Sequence, residues 1–505
     1  MQDVELVDPG DASGDADQGS GTHALVATWH GIVRVGRWAR PRWRAITAIT
    51  VVTALAVVSV RVVRWRDERD YLASLTDRPG ILAPLDASTM QRWRTSTGLD
   101  AITTWQAVGD VVIGAGVVTD GLRVVAIDAT TGAVRWASVA DRPPQDAFGA
   151  PPTCVATRTA TLLVCVTGMM WTLAADGSGT ELVSTRAAVT LDVATGTLVG
   201  RRDVAAQTGV AALDDAVVLA EVEADGHVHH ARLDPVTWTE TWTYDAPAPE
   251  STVTPQLDVG TSYMDPVVVA AAGRIATADS QGPVTVLSDT GELLSSLPPL
   301  GRGVISDVDG HLVLYRDPAM DGTGGAVTDL VSGRSMPAVA LYDTITSDGT
   351  LGASVLTRDA SGPLGLVDVG ADRQWTVPAP AAVRIESLPL LLRGQIVMSV
   401  IGISTTVAAY DGRTGALRWQ TTPRRASSMD RFTAPLMTDG RVVLALESGP
   451  SPESASGAGW RLQAYDALTG HARWAIGLPD DLDELQVLGR HLYGRARDGA
   501  LVGFG

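Results

Sequence analysis

The chain has 505 residues, enough for two or three average domains or for one large repeat domain. Small residues dominate: there are 52 Gly and only three Phe, within a hydrophobic fraction of 45% that is ample for a core. All 39 basic residues are Arg, the net charge is −18, and there is no Asn, which argues against nucleic-acid partners and leaves no N-glycosylation sequon.

Residues 1–21 combine acidic and small residues without apolar periodicity and are expected to be disordered. Five arginines follow, Arg34, Arg37, Arg40, Arg42 and Arg44, then the apolar run "AITAITVVTALAVVSV" at 45–60. The run is short of the roughly 20 residues that span a bilayer, but Arg61 can snorkel and Val62 and Val63 extend it. Trp43 and Trp65 bracket it at a helical separation of roughly 33 Å, where interfacial tryptophans belong. A cleaved signal peptide fits poorly, because 44 residues precede the run; a buried core helix is the other alternative. The expected organisation is a cytoplasmic tail over 1–44, a transmembrane signal-anchor helix over 45–63, a juxtamembrane linker over 64–78 and a propeller over 79–505.

Arginine counts on either side of the helix are too close to set its orientation. The two cysteines bear on it. Cys154 and Cys165 flank "VATRTATLLV", and a hairpin turning at 158–161 would oppose them. A cross-strand disulfide there would need an oxidising compartment, whereas two buried strand thiols would not. The expectation is an N-terminus inside and the large domain outside the cell membrane, as a single-pass envelope protein.

From residue 86 onward one phrase recurs, Asp-x-x-Thr-Gly-x-x-x-Trp. Its strong copies are Asp128/Gly132/Trp136, Asp411/Gly415/Trp419 and Asp466/Gly470/Trp474. Asp192/Gly196 matches until Gly200 replaces the Trp, and Asp234/Trp242 has Trp238 where Gly is expected. Fainter anchors are Asp86, Asp289, Asp329 and Asp368, giving spacings of 39–64 residues. Alternating apolar residues before each Asp suit a strand, the carboxylate closes an Asx-turn, Gly supplies the left-handed conformation, and a short strand ends in Trp. A second strand precedes most copies, as in "GDVVIGA" at 109–115 and "DGRVVLAL" at 439–446. No long helical pattern appears after residue 72. Such a unit cannot bury its faces alone, so units stack around an axis as an all-β propeller of four-stranded antiparallel blades. Eight blades are expected, with seven or nine as alternatives, and segment 81–93 is expected to close the ring against 491–504. The recurring Trp is read as an inter-blade packing peg.

The phrase resembles the PQQ-type repeat of the quinoprotein alcohol dehydrogenase-like propellers, over about residues 80–505. The resemblance implies a membrane-anchored bacterial propeller from a family holding both quinoprotein dehydrogenases and an outer-membrane assembly propeller that binds proteins. Family enzymes bind Ca²⁺ through Glu and Asn, use an Asp base and often carry adjacent cysteines. This chain has no Asn and no Cys-Cys pair, so neither PQQ nor a catalytic residue is expected.

Other constellations are weak. "EVEADGHVHHARLD" at 221–234 gathers Glu221, Glu223, Asp225, His227 and His229; it reads as a Zn²⁺ or Cu²⁺ site or as a solvated hairpin tip. "DVDGH" at 307–311 opens like a calcium loop but has Pro318 where Glu belongs, and reads as a turn. Pro-rich or flexible insertions at 137–159, 245–260 and 447–459 are candidate partner-binding loops. The function expected is a non-catalytic, membrane-tethered scaffold or ligand-sensing module with an envelope protein partner. A PQQ-dependent oxidoreductase and a cell-wall carbohydrate or peptide binder are the alternatives.

Overall fold

A computed structural model of the chain describes residues 43–96, 102–118, 121–141, 148–168, 170–173, 180–183, 185–247, 265–278, 283–297, 303–316, 325–337, 339–340, 346–358, 364–370, 373–377, 384–385, 389–401, 405–423, 436–449 and 459–505. The acidic tail and Arg34, Arg37, Arg40 and Arg42 lie outside them.

Helix α1 runs over Trp43–Ser74, 32 residues. Among the described residues it is the one helix long and apolar enough to cross a membrane. Over residues 47–65 its apolar side chains are exposed, Ile49 by 67% and Leu55 by 60%. The stretch 64–74, expected as linker, is helical. Arg64, Arg66, Glu68, Arg69 and Leu72 are good helix formers, and neither Gly nor Pro occurs between residue 64 and Pro79. The compact unit that follows begins at Leu75, four residues before the expected boundary.

That unit is a ring of antiparallel sheets built from consecutive strands. In chain order, sheet 1 spans 104–140, sheet 2 153–205, sheet 3 208–246, sheet 4 267–297, sheet 5 303–337, sheet 6 339–377, sheet 7 390–421, sheet 8 437–477 and sheet 9 482–504. Eight of these are four-stranded, as expected for the blades. Sheet 7 holds the same four-strand meander widened to six strands by Thr346–Ser347 and Arg384–Ile385. A small three-stranded sheet (148–149, 170–173, 180–182) stands apart from the ring pattern. Sheet 9 takes its outermost strand from Gln91–Thr95, which pairs with Leu501–Phe504 and so closes the ring, as the 81–93 and 491–504 segments suggested.

Neighbouring sheets bury Val, Leu, Ile and Ala against each other. Val124 and Ala126 of sheet 1 meet Leu163 and Val189 of sheet 2, and Tyr493 and Leu501 of sheet 9 meet Val112 and Val125 of sheet 1. A sheet of alternating apolar residues is covered on both faces only when both neighbours are present, which is why the ring forms as a whole.

The repeated phrase forms the turn between third and fourth strands. Asp128 Oδ1 accepts the N–H groups of Thr130 and Thr131 at 3.0 and 2.8 Å, and Gly132 N–H donates to the Asp128 carbonyl at 2.9 Å. Asp411 and Asp466 do the same for Thr414 and Thr469. Gly415 and Gly470 donate their N–H groups to the Asp411 and Asp466 carbonyls, both at 2.8 Å, and sit at φ +68° and +70°. In the Gly291 copy the anchor is Ser288 and not Asp289. That turn is one residue shorter, and the Ser288 hydroxyl accepts the N–H groups of Thr290 and Glu292.

Four of the fourth-strand Trp reach across to the next sheet. Trp136 Nε1–H donates to the Val193 carbonyl at 2.8 Å, Trp242 to Asp289 at 2.9 Å, Trp419 to Ala467 at 3.1 Å and Trp93 to Ala129 at 3.3 Å. The ring lies flat on the neighbour's turn glycine: a Cβ at Gly196 would be 2.5 Å from the Trp136 ring, and one at Gly470 2.5 Å from Trp419. Gly132 meets Trp93 in the same way. The Trp375 side chain, which the phrase would set against Gly415, lies outside the described residues. Trp474 is half-buried against the apolar cluster that includes Leu482 and Leu485.

Between sheets 2 and 3 the peg is reversed. Gly200 holds the Trp position of sheet 2, and Trp238 holds the turn-glycine position of sheet 3 at φ +56°. A Cβ at Gly200 would lie 2.8 Å from Trp238 Nε1, so one indole still fills the interface from the opposite side.

Candidate functional site

Because the strands of each sheet alternate in direction, the hairpins between first and second strands lie on the same face as the Asp-Thr-Gly turns. This is the turn face. The second-to-third connections and the passages between sheets lie on the opposite, loop face. The candidate binding insertions belong there, and 142–147, 248–264 and 450–458 lie outside the described residues.

The strong turns carry a feature that the sequence reading overlooked. All three phrases read Arg-Trp, and the Arg returns to its own anchor: Arg135 Nη2 is 2.7 Å from Asp128 Oδ2, and Arg418 and Arg473 bind Asp411 and Asp466 in the same way. Arg135 and Arg418 hold the Asp128 and Asp411 carboxyls well below the usual range. For Asp466 burial opposes this, and Arg473 with Thr469 outweighs it. These carboxylates are committed to turns.

Charged groups toward the loop ends of the strands are also committed to the fold. The Arg186 side chain is fully buried, donates to both Asp265 oxygens at 3.0 Å and to the Thr208 carbonyl at 2.8 Å, and ties sheets 2, 3 and 4 together. Glu221 accepts the Ala205 N–H at 2.9 Å and Arg202 of sheet 2 at 3.3 Å. Glu447, in the equivalent position of sheet 8, accepts Arg461 at 2.6 Å and the Tyr465 hydroxyl. Burial first, then Glu447, pushes the Tyr465 phenol up.

The histidine cluster resolves into pairs. His229 Nδ1 lies 2.6 Å from Asp245 Oδ1 across the sheet, and the His227 ring binds Asp225 and stands 4.0 Å from Asp245. Glu221 turns to Arg202, and Glu223 serves the hairpin backbone. Among the described residues no three His, Cys, Asp or Glu side chains are grouped to hold a metal. His230, on the other face of that strand, is fully buried and donates its Nδ1–H to the Tyr244 carbonyl at 3.2 Å. "DVDGH" forms the hairpin Val308–His311, with Asp307 capping Gly310 N–H at 2.7 Å.

Cys154 and Cys165 sit directly opposite in the first two strands of sheet 2 and are bonded, with Cα atoms 4.0 Å apart. A cleft of about 100 Å³ on the turn face is lined by Arg158, Asp214, Arg232, Ala272 and Asp289. Arg158 and Asp214 pair at 2.9 Å within it.

The family model described as PQQ_2, outer membrane protein assembly factor BamB, matches residues 366–504. No curated protein matches the chain. Among solved structures, BamB from Moraxella catarrhalis is 13% identical with a TM-score of 0.41, covering 82% of this chain and 99% of its own. A quinohemoprotein alcohol dehydrogenase from Comamonas testosteroni is 14% identical with a TM-score of 0.40, covering 86% and 82%. A europium-containing methanol dehydrogenase is 12% identical with a TM-score of 0.38, covering 84% and 91%. Residues 366–504 match the PQQ-type repeat of the BamB family model, within a chain whose folded unit is an all-β propeller.

Proposed function

We propose that the chain is a membrane-tethered, extracytoplasmic propeller that binds protein partners and performs no chemistry of its own. The observation carrying this reading is the commitment of the charged side chains. Arg186, Glu221, Glu447, Asp128, Asp411 and Asp466 each have their partners inside the fold, so none is a free base or ligand. A Ca²⁺-bound quinone of the dehydrogenase kind would need oxygen donors such as Asn, absent from the chain, and the two cysteines are joined across strands instead of standing adjacent. These residues do not fit that cofactor. The match to an assembly-factor model supports a protein-binding role, and α1 supports attachment to a membrane. The Cys154–Cys165 bond supports a propeller on the oxidising side, with the N-terminus in the cytoplasm. The test is dye reduction by the purified full-length protein given PQQ and Ca²⁺ with alcohols and aldoses. No turnover is expected, and turnover with any of them overturns the reading.

A further inference from the structure

We infer that residues 75–85 form a built-in plug that shuts the turn-face mouth of the central channel. This rests on the fold and not on what the propeller binds. In a propeller the first strand of each sheet lines the channel, so anything paired to its free edge lies inside the channel. Two segments do this here. Thr346–Ser347 pairs in parallel with Leu390–Leu391, the inner strand of sheet 7. Ile81 forms a parallel bridge with Thr438, on the inner strand of sheet 8, and Leu82 N–H donates to the Thr438 carbonyl at 2.8 Å. These parallel pairings contrast with the antiparallel ones inside the blades. The two segments touch: a Cβ at Gly80 would stand 2.8 Å from Thr346 Oγ1.

The strap is pinned on both sides of these edges. Arg78 binds Asp309 in the hairpin of sheet 5 and lies against Gly349. Ala83 N–H donates to the Arg490 carbonyl in the hairpin of sheet 9 at 2.7 Å, and Leu85 N–H donates to the buried Asp439 carboxylate of sheet 8 at 3.2 Å. One short segment therefore spans from sheet 5 to sheet 9 across the turn-face mouth. Leu75, Ile81 and Leu82 are at most 2% exposed, so the strap is packed as core. Its backbone bonds also cap inner-strand edges that would otherwise invite a foreign strand.

The test uses full-length protein carrying Thr346→Cys, whose thiol is the one free sulfhydryl because the native pair is bonded. Maleimide labelling of that thiol is compared with and without Leu82→Asp, and Ser88→Cys serves as an exposed control. With the plug in place labelling is slow, and Leu82→Asp accelerates it at least about tenfold while leaving the Ser88→Cys rate unchanged. Equal rates at position 346 overturn the inference. If Leu82→Asp does not fold, hydrogen exchange of the unmodified protein decides: the Leu82 and Ala83 amides exchange slowly if the plug is seated, and exchange as fast as free peptide overturns it.

Discussion

Gly196 and Gly333 occupy the same place in two Asp-anchored turns, at φ +71° and +70°, and each donates its N–H to the anchor carbonyl, at 2.8 and 2.9 Å. They differ in one respect. A Cβ at Gly196 would fall 2.5 Å from the Trp136 ring and 2.9 Å from Ser138 Oγ, whereas among the described residues nothing lies within 4 Å of a Cβ at Gly333. Substitution by Ala therefore separates two costs. Both positions meet the left-handed penalty of about 1–2 kcal/mol, partly offset by about 0.4–1 kcal/mol from a stiffer unfolded chain. Gly333→Ala should thus cost about 1 kcal/mol or less. Gly196→Ala also displaces the indole, adding about 1–3 kcal/mol of overpacking, and about 1 kcal/mol more if the Trp136–Val193 hydrogen bond breaks. The expected difference is about 2–3 kcal/mol, read as a shift in chemical denaturation of the full-length protein in detergent. In a Trp136→Ala background most of the excess cost of Gly196→Ala should vanish, leaving only the Ser138 contact. Equal costs for the two glycines, or an excess undiminished by removal of the ring, would refute the peg-and-glycine account of how the sheets are joined.

Other outcomes follow from the same geometry. Gly200→Trp and Trp238→Gly should each destabilise, the first by about 3 kcal/mol through overlap and the second by about 1 kcal/mol, while the double variant recovers at least about 2 kcal/mol of their sum; additivity would show that the reversed peg is not one shared indole. Reducing the Cys154–Cys165 bond, which spans a separation of 11 residues, should lower stability by about 2–3 kcal/mol, and an unchanged denaturation curve would contradict this. His230 is pushed down to about 4 by burial, from 6.5. A base depressed in the folded state contributes stability that is complete above about pH 6.5 and is lost as pH falls to about 4, some 3 kcal/mol in all. A His230→Gln variant should lack that slope, whatever its stability at neutral pH; an unaltered slope would assign it to other groups.

The ring was legible in the sequence because its determinants are local. An Asp two and three residues before the N–H groups it caps, a Gly at positive φ and a Trp at a fixed offset all sit within nine residues, so Asp128–Trp136 announces its own turn and strand. Closure by Gln91–Thr95 was readable because Asp86–Trp93 echoes the phrase. Arg135, Arg418 and Arg473 were equally local and were present in all three quoted copies; they went unread because charge at a turn is usually solvated. The remaining features depend on residues distant in sequence. Gly200 and Trp238 look like two separate departures from the pattern until the structure places them in one interface. Ser288 displaces Asp289 because a shortened turn moves the register by one, which only the hydrogen bonds reveal. The strap and the intruding Thr346–Ser347 strand have no signature, since Ile81 and Thr438 are brought together by the assembled ring. The pairings of Arg186 with Asp265 and of His229 with Asp245 are likewise products of the fold.

Binding of a protein partner by the propeller is tested most directly by crosslinking in native membranes, with the full-length chain compared against a chain ending after Pro79. A discrete protein adduct formed by the full-length chain and lost with the propeller is the predicted result. An identical adduct pattern without the propeller, or no propeller-dependent protein adduct at all, would contradict it.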